Sequence, residues 1–538
     1  MKLRVVSLLA LVGICFGSVQ PVAAAGRSFQ SGEAPESYDL ARAAVVDRVI
    51  LAVMEHYYDP DRVDAREMFD AATEHLQMHV AEFRIEPRGE DGATLTAAEG
   101  ELALDLSDLG SPWALSRSLH RVFGFLAEHV PVEEYDPVDL EYGAANAILS
   151  TLDPHSQAMP PALYEDLRMG TVGEFGGLGI KITTDRRPPC NGTLTVVEVF
   201  PDISAERAGF RVGDQIVRID GESTVNTTTA EAAERLRGKP GTVVDLQLRG
   251  AGGKLRDVEV TRQRIPIESV EWELLDGDVG YVSLQAFQGN SAAEFAGALR
   301  ALRAKGMRGL ILDLRGNPGG LLDVAIDVAD LMLSGGTIVA TAGRSADDRE
   351  VNNAGAAGTE PLYPMIVLVD FSSASAAEII AGALRHHGRA LLVGETTFGK
   401  GSVQMVMPLP EKGALRLTSA QYLTPGDISI QAVGVAPDVR FLPVAVDRED
   451  LQLEPRGRRF SEADLDKHLE RPSDLARGDR AGALDSVLFV PRDEHETDRH
   501  RYERCYTDDP SRRPFPDRYE IEFSRGLLAG AEGVTAEE

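Results

Sequence analysis

Residues 371–404 read FSSASAAEIIAGALRHHGRALLVGETTFGKGSVQ, and the fold and chemistry of the chain both turn on them. The run MIVLV at 365–369, just before, is short, bulky and β-branched, as a buried strand should be. A turn of small residues follows, then a helical pattern with Ile379, Ile380 and Leu384 on one side. A second apolar strand at 390–393 leads into the glycine-punctuated turn ETTFGKG and a third strand at 402–407. Ser375 therefore stands where a strand turns into a helix, and Lys400 where a turn opens into a strand.

That placement suits nucleophilic chemistry. A serine hydroxyl attacks poorly until a base takes its proton, and lysine is such a base on several unrelated folds. Free lysine titrates near ~10.4, so neutrality near pH 7–8 needs a depression of roughly 2.5–3 units, or about 3.5–4 kcal/mol. Phe398, Val403 and Met405 give Lys400 an apolar setting. On a strand, Lys400, Ser402 and Gln404 would share one face, letting the Gln404 amide hold the lysine head. Ser375 at a helix start also puts the Ala376 N–H beside a reacting carbonyl, as half of an oxyanion hole. Simpler readings compete. Ser375-Ala376-Ala377-Glu378 is a capping box, S-x-x-E, and an isolated lysine is most often solvated. A Ser-His-Asp triad from Ser375, His386 and Asp313 fails on distance. His386 follows Ser375 by 11 positions on one helix, about 16 Å along its axis at ~1.5 Å per residue.

The whole string, SASAAEI followed by ALLVGETTFGKGSVQ, resembles the core of the carboxy-terminal processing peptidases, or tail-specific proteases. Lys400 lies 25 positions after Ser375, and Gln404 four further. The resemblance implies a Ser–Lys dyad, with Ser375 as nucleophile, Lys400 as general base and Gln404 as the residue that orients the lysine. It also implies a second oxyanion donor from the loop RGNPGG, at Gly319 or Gly320, beside Ala376.

Working outward, residues 266–445 alternate strands and helices, which suggests a layered α/β catalytic domain. Residues 168–265 carry a glycine-rich loop, EFGGLGIKI, and AGFRVGDQIVRIDG, which together resemble a bacterial PDZ domain. That resemblance implies an extended peptide added as a strand beside 178–182. Its carboxylate would sit against Gly177, Leu178 and Gly179, its backbone beside Ile180, and its last side chain against Leu178 and Leu236. A phosphate loop is the weaker reading, because these glycines precede a strand and not a helix. Residues 36–165 read as a helical scaffold with a possible dimer surface, from periodicity at 43–57, 65–80, 112–128 and 139–152. His155, in the proline-broken junction LDPHSQAMPP, reads as a structural turn histidine. Residues 446–538 are charged and proline-interrupted, with a helical signal at 461–469 and no legible role. They pack back on the catalytic domain or stay solvated.

The fold class is thus an α+β / α/β multidomain chain. Its 538 residues are too many for one core. A net charge of −30 argues against nucleic acid and anionic membranes as partners. Residues 1–25 read as a cleavable signal peptide: Lys2 and Arg4, an apolar run at 5–16, then Ala23-Ala24-Ala25. The expected location is the periplasm or cell envelope, with extracellular release as the other choice. Cys190 and Cys505 remain after cleavage, as one long-range disulfide or two separate thiols. No ligand spacing for a metal appears and no cofactor is expected. The reading is an exported serine endopeptidase acting on proteins or peptides with accessible C-termini. Its alternative is a catalytically silent PDZ adaptor that presents tails to a partner protease. The sequence leaves open a regulatory adaptor and a homo-oligomer.

Overall fold

The computed structural model describes residues 38–471, with short interruptions at 90, 98–99, 132–134, 185–191, 251, 447–452 and 456–459, together with 484–491 and 519–535. The signal segment at 1–25, Cys190 and Cys505 lie outside the described residues.

Met365–Val369 is a strand buried along its whole length. It lies inside an eight-stranded sheet ordered Val270–Leu275, Val279–Leu284, Gly309–Asp313, Met365–Val369, Leu391–Gly394, Val439–Val446, Leu453–Pro455, with Leu484–Pro491 also paired to Val439–Val446. From Val279–Leu284 to Val439–Val446 the neighbours are parallel. Parallel sheets need cover on both faces, which is why this run is continuously apolar and not alternating. Met365, Val367 and Val369 pack with Leu299, Val328 and Ile380, from the helices Ser291–Ala304, Leu322–Met332 and Ala376–His386. Ile366 and Leu368 point the other way, into a core shared with Ile521 and Leu528 of the helix Tyr519–Thr535.

The strand after the glycine-rich turn, Ser402–Pro408, does not continue this sheet. It pairs with Ala414–Thr424 in a second sheet that also holds Gly336–Ala342 and Glu350–Ala354. Residues 395–401 therefore cross from one sheet to the other. Gln157–Met159, from the proline-broken junction, adds to Ala414–Thr424 as a further strand.

Upstream, five α-helices form among the described residues: Ala44–His56, Ala65–His79, Pro112–His129, Pro137–Ser150 and Pro161–Val172. Asp64, Ser111 and Asp136 cap three of them with side-chain oxygens, and Pro112 and Pro137 fill first-turn positions that need no N–H. The region is not purely helical, as the sequence reading had it. Arg84–Pro87, Gly92–Ala97 and Gly100–Asp105 form an antiparallel sheet in which Ala93, Leu95 and Ala97 turn inward at period two. The core of this region runs on into Met407, Leu409, Leu415 and Leu417 of the second sheet.

Residues 180–261 form a separate sheet ordered Leu255–Thr261, Val243–Arg249, Gln215–Ile219, Thr195–Val199, Ile180–Thr183, beside the helix Thr229–Leu236. Within 460–471 the expected helix is replaced by one 3-10 turn, Glu462–Asp464. The Asp464 carboxylate folds back on the Ser461 N–H and hydroxyl, and the Phe398 carbonyl takes the Glu462 N–H. The Phe398 contact fixes this turn against the lysine loop, and the chain does not go on into the helix its local preference suggested. The helix of this terminal region is Tyr519–Thr535, which the sequence did not announce; Glu520 on it pairs with Arg315.

Leu528, 5% exposed, is a core residue and not part of a solvated appendage. Leu528→Ala is expected to lower stability by about 2–4 kcal/mol in urea unfolding, where a solvated position would change it by under ~0.5 kcal/mol.

Candidate active site

Ser375 follows the strand Met365–Val369 and immediately precedes the helix Ala376–His386, at φ 55° and ψ −115°. Few non-glycine residues take that backbone, and at a strand–turn–helix step it lifts the side chain clear of the chain. The turn is held from below. The Ala374 N–H donates to the Asn317 carbonyl at 2.9 Å, and the Ser373 hydroxyl to the Leu314 carbonyl at 2.7 Å. The Ser375 side chain makes no cap bond. The Glu378 N–H goes to the Ser375 carbonyl at 2.9 Å, while the Glu378 carboxylate returns to the Ser375 N–H at 2.8 Å. The helix start is thus closed by the carboxylate, and the hydroxyl is not spent on it.

Glu378 is fully buried and accepts four hydrogen bonds. Its Oε2 takes the N–H of Ser375 at 2.8 Å and of Lys400 at 2.9 Å; its Oε1 takes the Thr397 hydroxyl at 2.6 Å and the Gly399 N–H at 2.8 Å. Two backbone nitrogens that share one oxygen stand no farther apart than those two distances added together. Ser375 and Lys400, 25 positions apart in sequence, are therefore neighbours. Burial pushes the Glu378 carboxyl up to about 7, with the hydrogen bonds pulling the other way.

Lys400 sits in the crossing turn, two residues before the strand Ser402–Pro408 begins, and so is not on the strand it was expected to share with Ser402 and Gln404. Ser402 and Gln404 do share a face: Gln404 Nε2 donates to Ser402 Oγ at 2.8 Å and to Thr418 Oγ1 at 3.4 Å. Lys400 keeps part of its surface in water, yet protein crowds its amine. Burial first and Arg416 second push it down to about 8, against Glu462, Asp153 and Glu378. Among the described residues no hydrogen bond joins Lys400 Nζ to Ser375 Oγ or to Gln404.

The RGNPGG loop lies directly on this turn. Gly319, at φ 101°, would place a Cβ 2.8 Å from the Ser375 Cβ, so only glycine fits there. Its N–H is taken by Asn317 Oδ1 at 2.8 Å. The N–H groups of Gly320 and Ala376 find no acceptor among the described residues. Of the two glycines proposed from sequence, Gly320 has the free donor.

Three neighbours had no catalytic role in the sequence reading: Tyr422, Gln431 and His155. Tyr422 packs its phenol near the Ser375 hydroxyl and is pushed up to about 12 by burial, the serine acting the other way. Gln431, given no role from sequence, accepts the Gly401 N–H at 2.8 Å. His155 is buried in its turn and pairs with Glu462 at 2.9 Å. An S-x-x-E reading finds Glu378, but no local pattern announces contacts hundreds of positions apart. His386 lies at the far end of its helix, as expected.

In the sheet of 180–261, Ile180 opens the edge strand Ile180–Thr183, whose outer side has no strand partner among the described residues. Leu178 and Leu236 are buried in the core beside it. Gly177 belongs to Glu174–Gly177 and lies opposite Gln263, so a ladder holds that end of the loop. Gly179, at φ 80°, would drive a Cβ to 2.5 Å from Ile203. The helix Thr229–Leu236 stands across from the strand end, with the Thr184 and Thr229 hydroxyls 3.0 Å apart. Among the described residues no acid, histidine and cysteine cluster could hold a metal ion, and no helix is long and apolar enough to cross a membrane.

Comparison with known proteins adds the following. The sequence matches the model of peptidase family S41 over residues 278–441 and that of the PDZ domain over 167–249. A carboxy-terminal-processing protease of Bartonella bacilliformis is 38% identical over 382 residues, covering 69% of this chain and 84% of that protein. A carboxyl-terminal-processing protease of Synechocystis is 39% identical, covering 55% of this chain and 70% of that protein. The chloroplastic carboxyl-terminal-processing peptidase 3 of Arabidopsis thaliana is 36% identical, covering 60% of this chain and 64% of that protein.

Glu378→Gln turns an amide donor toward at least one N–H that now donates to the carboxylate. The expected cost is about 1–3 kcal/mol of stability at pH 8, read by urea unfolding.

Proposed function

The chain belongs to the carboxy-terminal-processing proteases of peptidase family S41, and on that premise we propose that Ser375 and Lys400 are its catalytic dyad. The protein is a serine protease with a PDZ domain that acts on protein substrates. One observation carries the dyad: a single buried carboxylate oxygen, Glu378 Oε2, accepts the N–H of both residues.

In this reading neutral Lys400 takes the Ser375 proton, and Ser375 Oγ attacks the substrate carbonyl carbon. The Ala376 and Gly320 N–H groups hold the resulting oxyanion, with Gly319 packed beneath them. Collapse breaks the C–N bond, and Lys400 returns the proton to the leaving amine. Lys400 then deprotonates water, which opens the acyl-enzyme and restores the hydroxyl. Gln404, fixed by Ser402 and Thr418, orients the lysine amine. The substrate C-terminus adds as a strand along Ile180–Thr183, its carboxylate on the N–H groups around Leu178 and Gly179, its last side chain near Ile180 and Leu236. Cleavage falls upstream of that captured tail. Residues 1–25 direct the enzyme out of the cytoplasm to the cell envelope.

Ser375→Ala and Lys400→Ala should each abolish cleavage while leaving tail-peptide affinity unchanged. Mass spectrometry of a substrate incubated with each variant reads the first, and fluorescence anisotropy of a labelled tail peptide the second. Full turnover by either variant rejects the dyad. Because catalysis needs the uncharged amine and burial lowers Lys400 to about 8, kcat/KM should climb about tenfold per pH unit below 8 and level off above it. A flat profile from pH 6 to 9 would be incompatible with lysine as the base.

A further inference from the structure

We infer that residues 460–471, beyond the stretch matched by the protease family, are a strap whose buried Glu462 is a positioning residue for Lys400. The inference rests on the dyad proposed above. Its basis is a set of long-range contacts converging on the lysine turn. The Glu462 N–H donates to the Phe398 carbonyl at 3.1 Å, two residues before Lys400. One residue after Lys400, the Gly401 N–H donates to Gln431 Oε1 at 2.8 Å. The amide nitrogen of Gln431 donates to Glu462 Oε1 at 2.9 Å and to the Leu469 carbonyl at 3.0 Å. The turn is thus gripped on both sides of the lysine by one segment, and the rings of Phe460 and Phe398 pack 6.3 Å apart above it.

The strap is anchored at its other end. Arg62 donates to the Lys467 and His468 carbonyls at 2.7 and 3.0 Å, and Lys467 pairs with Glu67 at 2.8 Å. Glu462 itself is 0% exposed, and His155 Nε2 reaches both of its carboxylate oxygens at 2.9 Å. A buried carboxylate held by one imidazole and one amide keeps a single geometry, because each group left alone would be an uncompensated polar atom. The charges that face Lys400 are then Arg416 from the second sheet, Glu378 from the helix, Asp153 from the junction turn and Glu462 from the strap. Glu462 acts on Lys400 in two ways: through the backbone of 398–401, and as a nearby negative charge that favours the ammonium.

The test compares the full-length enzyme with Glu462→Gln and Lys400→Ala on one peptide substrate across pH 6–10. Glu462→Gln should lower kcat by about ten- to a hundredfold with KM within twofold of the parent. It should also move the pH inflection of kcat/KM to lower pH, since a negative charge has left the neighbourhood of the amine. A role in stability alone would lower the amount of folded enzyme without moving that inflection. If Glu462→Gln does not fold, Phe460→Ala decides. That side chain is 37% exposed, and its truncation loosens the strap without orphaning a buried charge. A several-fold fall in kcat at constant KM supports the strap, and an unchanged kcat overturns it. Parental kcat and inflection in Glu462→Gln, with Lys400→Ala dead, overturn the strap and leave the dyad standing. Activity in Lys400→Ala overturns the dyad itself.

Discussion

Everything at this site depends on one carboxylate out of reach of water. Glu378 belongs to the serine helix by sequence, yet three of its four hydrogen bonds reach the lysine turn: Thr397, Gly399 and Lys400 donate to it, as does Ser375. Burying an ionisable group without partners is costly, and four donors at 2.6–2.9 Å make this one tolerable. The same bonds do geometric work. They bring the start of a helix in one sheet layer against a turn that leaves that layer, and they leave the serine hydroxyl free of capping duty. The strained backbone of Ser375 persists because Asn317, Leu314 and Glu378 hold the residues on either side of it.

The electrostatics follow from that frame. Lys400 is drawn toward neutrality by burial and by Arg416, while three carboxylates restrain the shift. Arg416 is itself lowered by burial, and its guanidinium is tied to the His155 carbonyl and the Gln157 amide at 3.1 and 3.2 Å. The junction turn around 153–157 therefore both closes the helical region and supplies Asp153, one of the carboxylates near the lysine.

How much of this was legible in the sequence depends on range. The strand at 365–369, the helix after Ser375 and the nearness of Ser375 to Lys400 were readable because strand and helix each carry a local period, and the residue string carries a strong family likeness. The PDZ-like order of strands was readable for the same reasons. The strands at 84–105 were not, because Thr94, Leu95 and Thr96 alternate over too few residues to stand out between helices. Residues 461–469 look helical in isolation, but tertiary bonds from Phe398, Gln431 and Arg62 override the preference. Tyr519–Thr535 buries Ile521 and Leu528 against strands some 200 positions earlier, and nothing in its own sequence names that surface. The choice between Gly319 and Gly320 was open for a similar reason: only the fold reveals that Asn317 consumes one of the two N–H groups.

The span of the contacts at 460–471 has a consequence for how the enzyme is born. Arg62 and Lys467 are 405 positions apart, and His155 and Glu462 are 307 apart. A ribosome delivers the chain from its N-terminus, and distant contacts close only after both ends exist. The nascent polypeptide therefore carries its serine and its lysine long before the fastening of the lysine turn can be completed. On the proposed dyad and strap, the growing chain lacks a finished hydrolytic centre until residue 462 emerges.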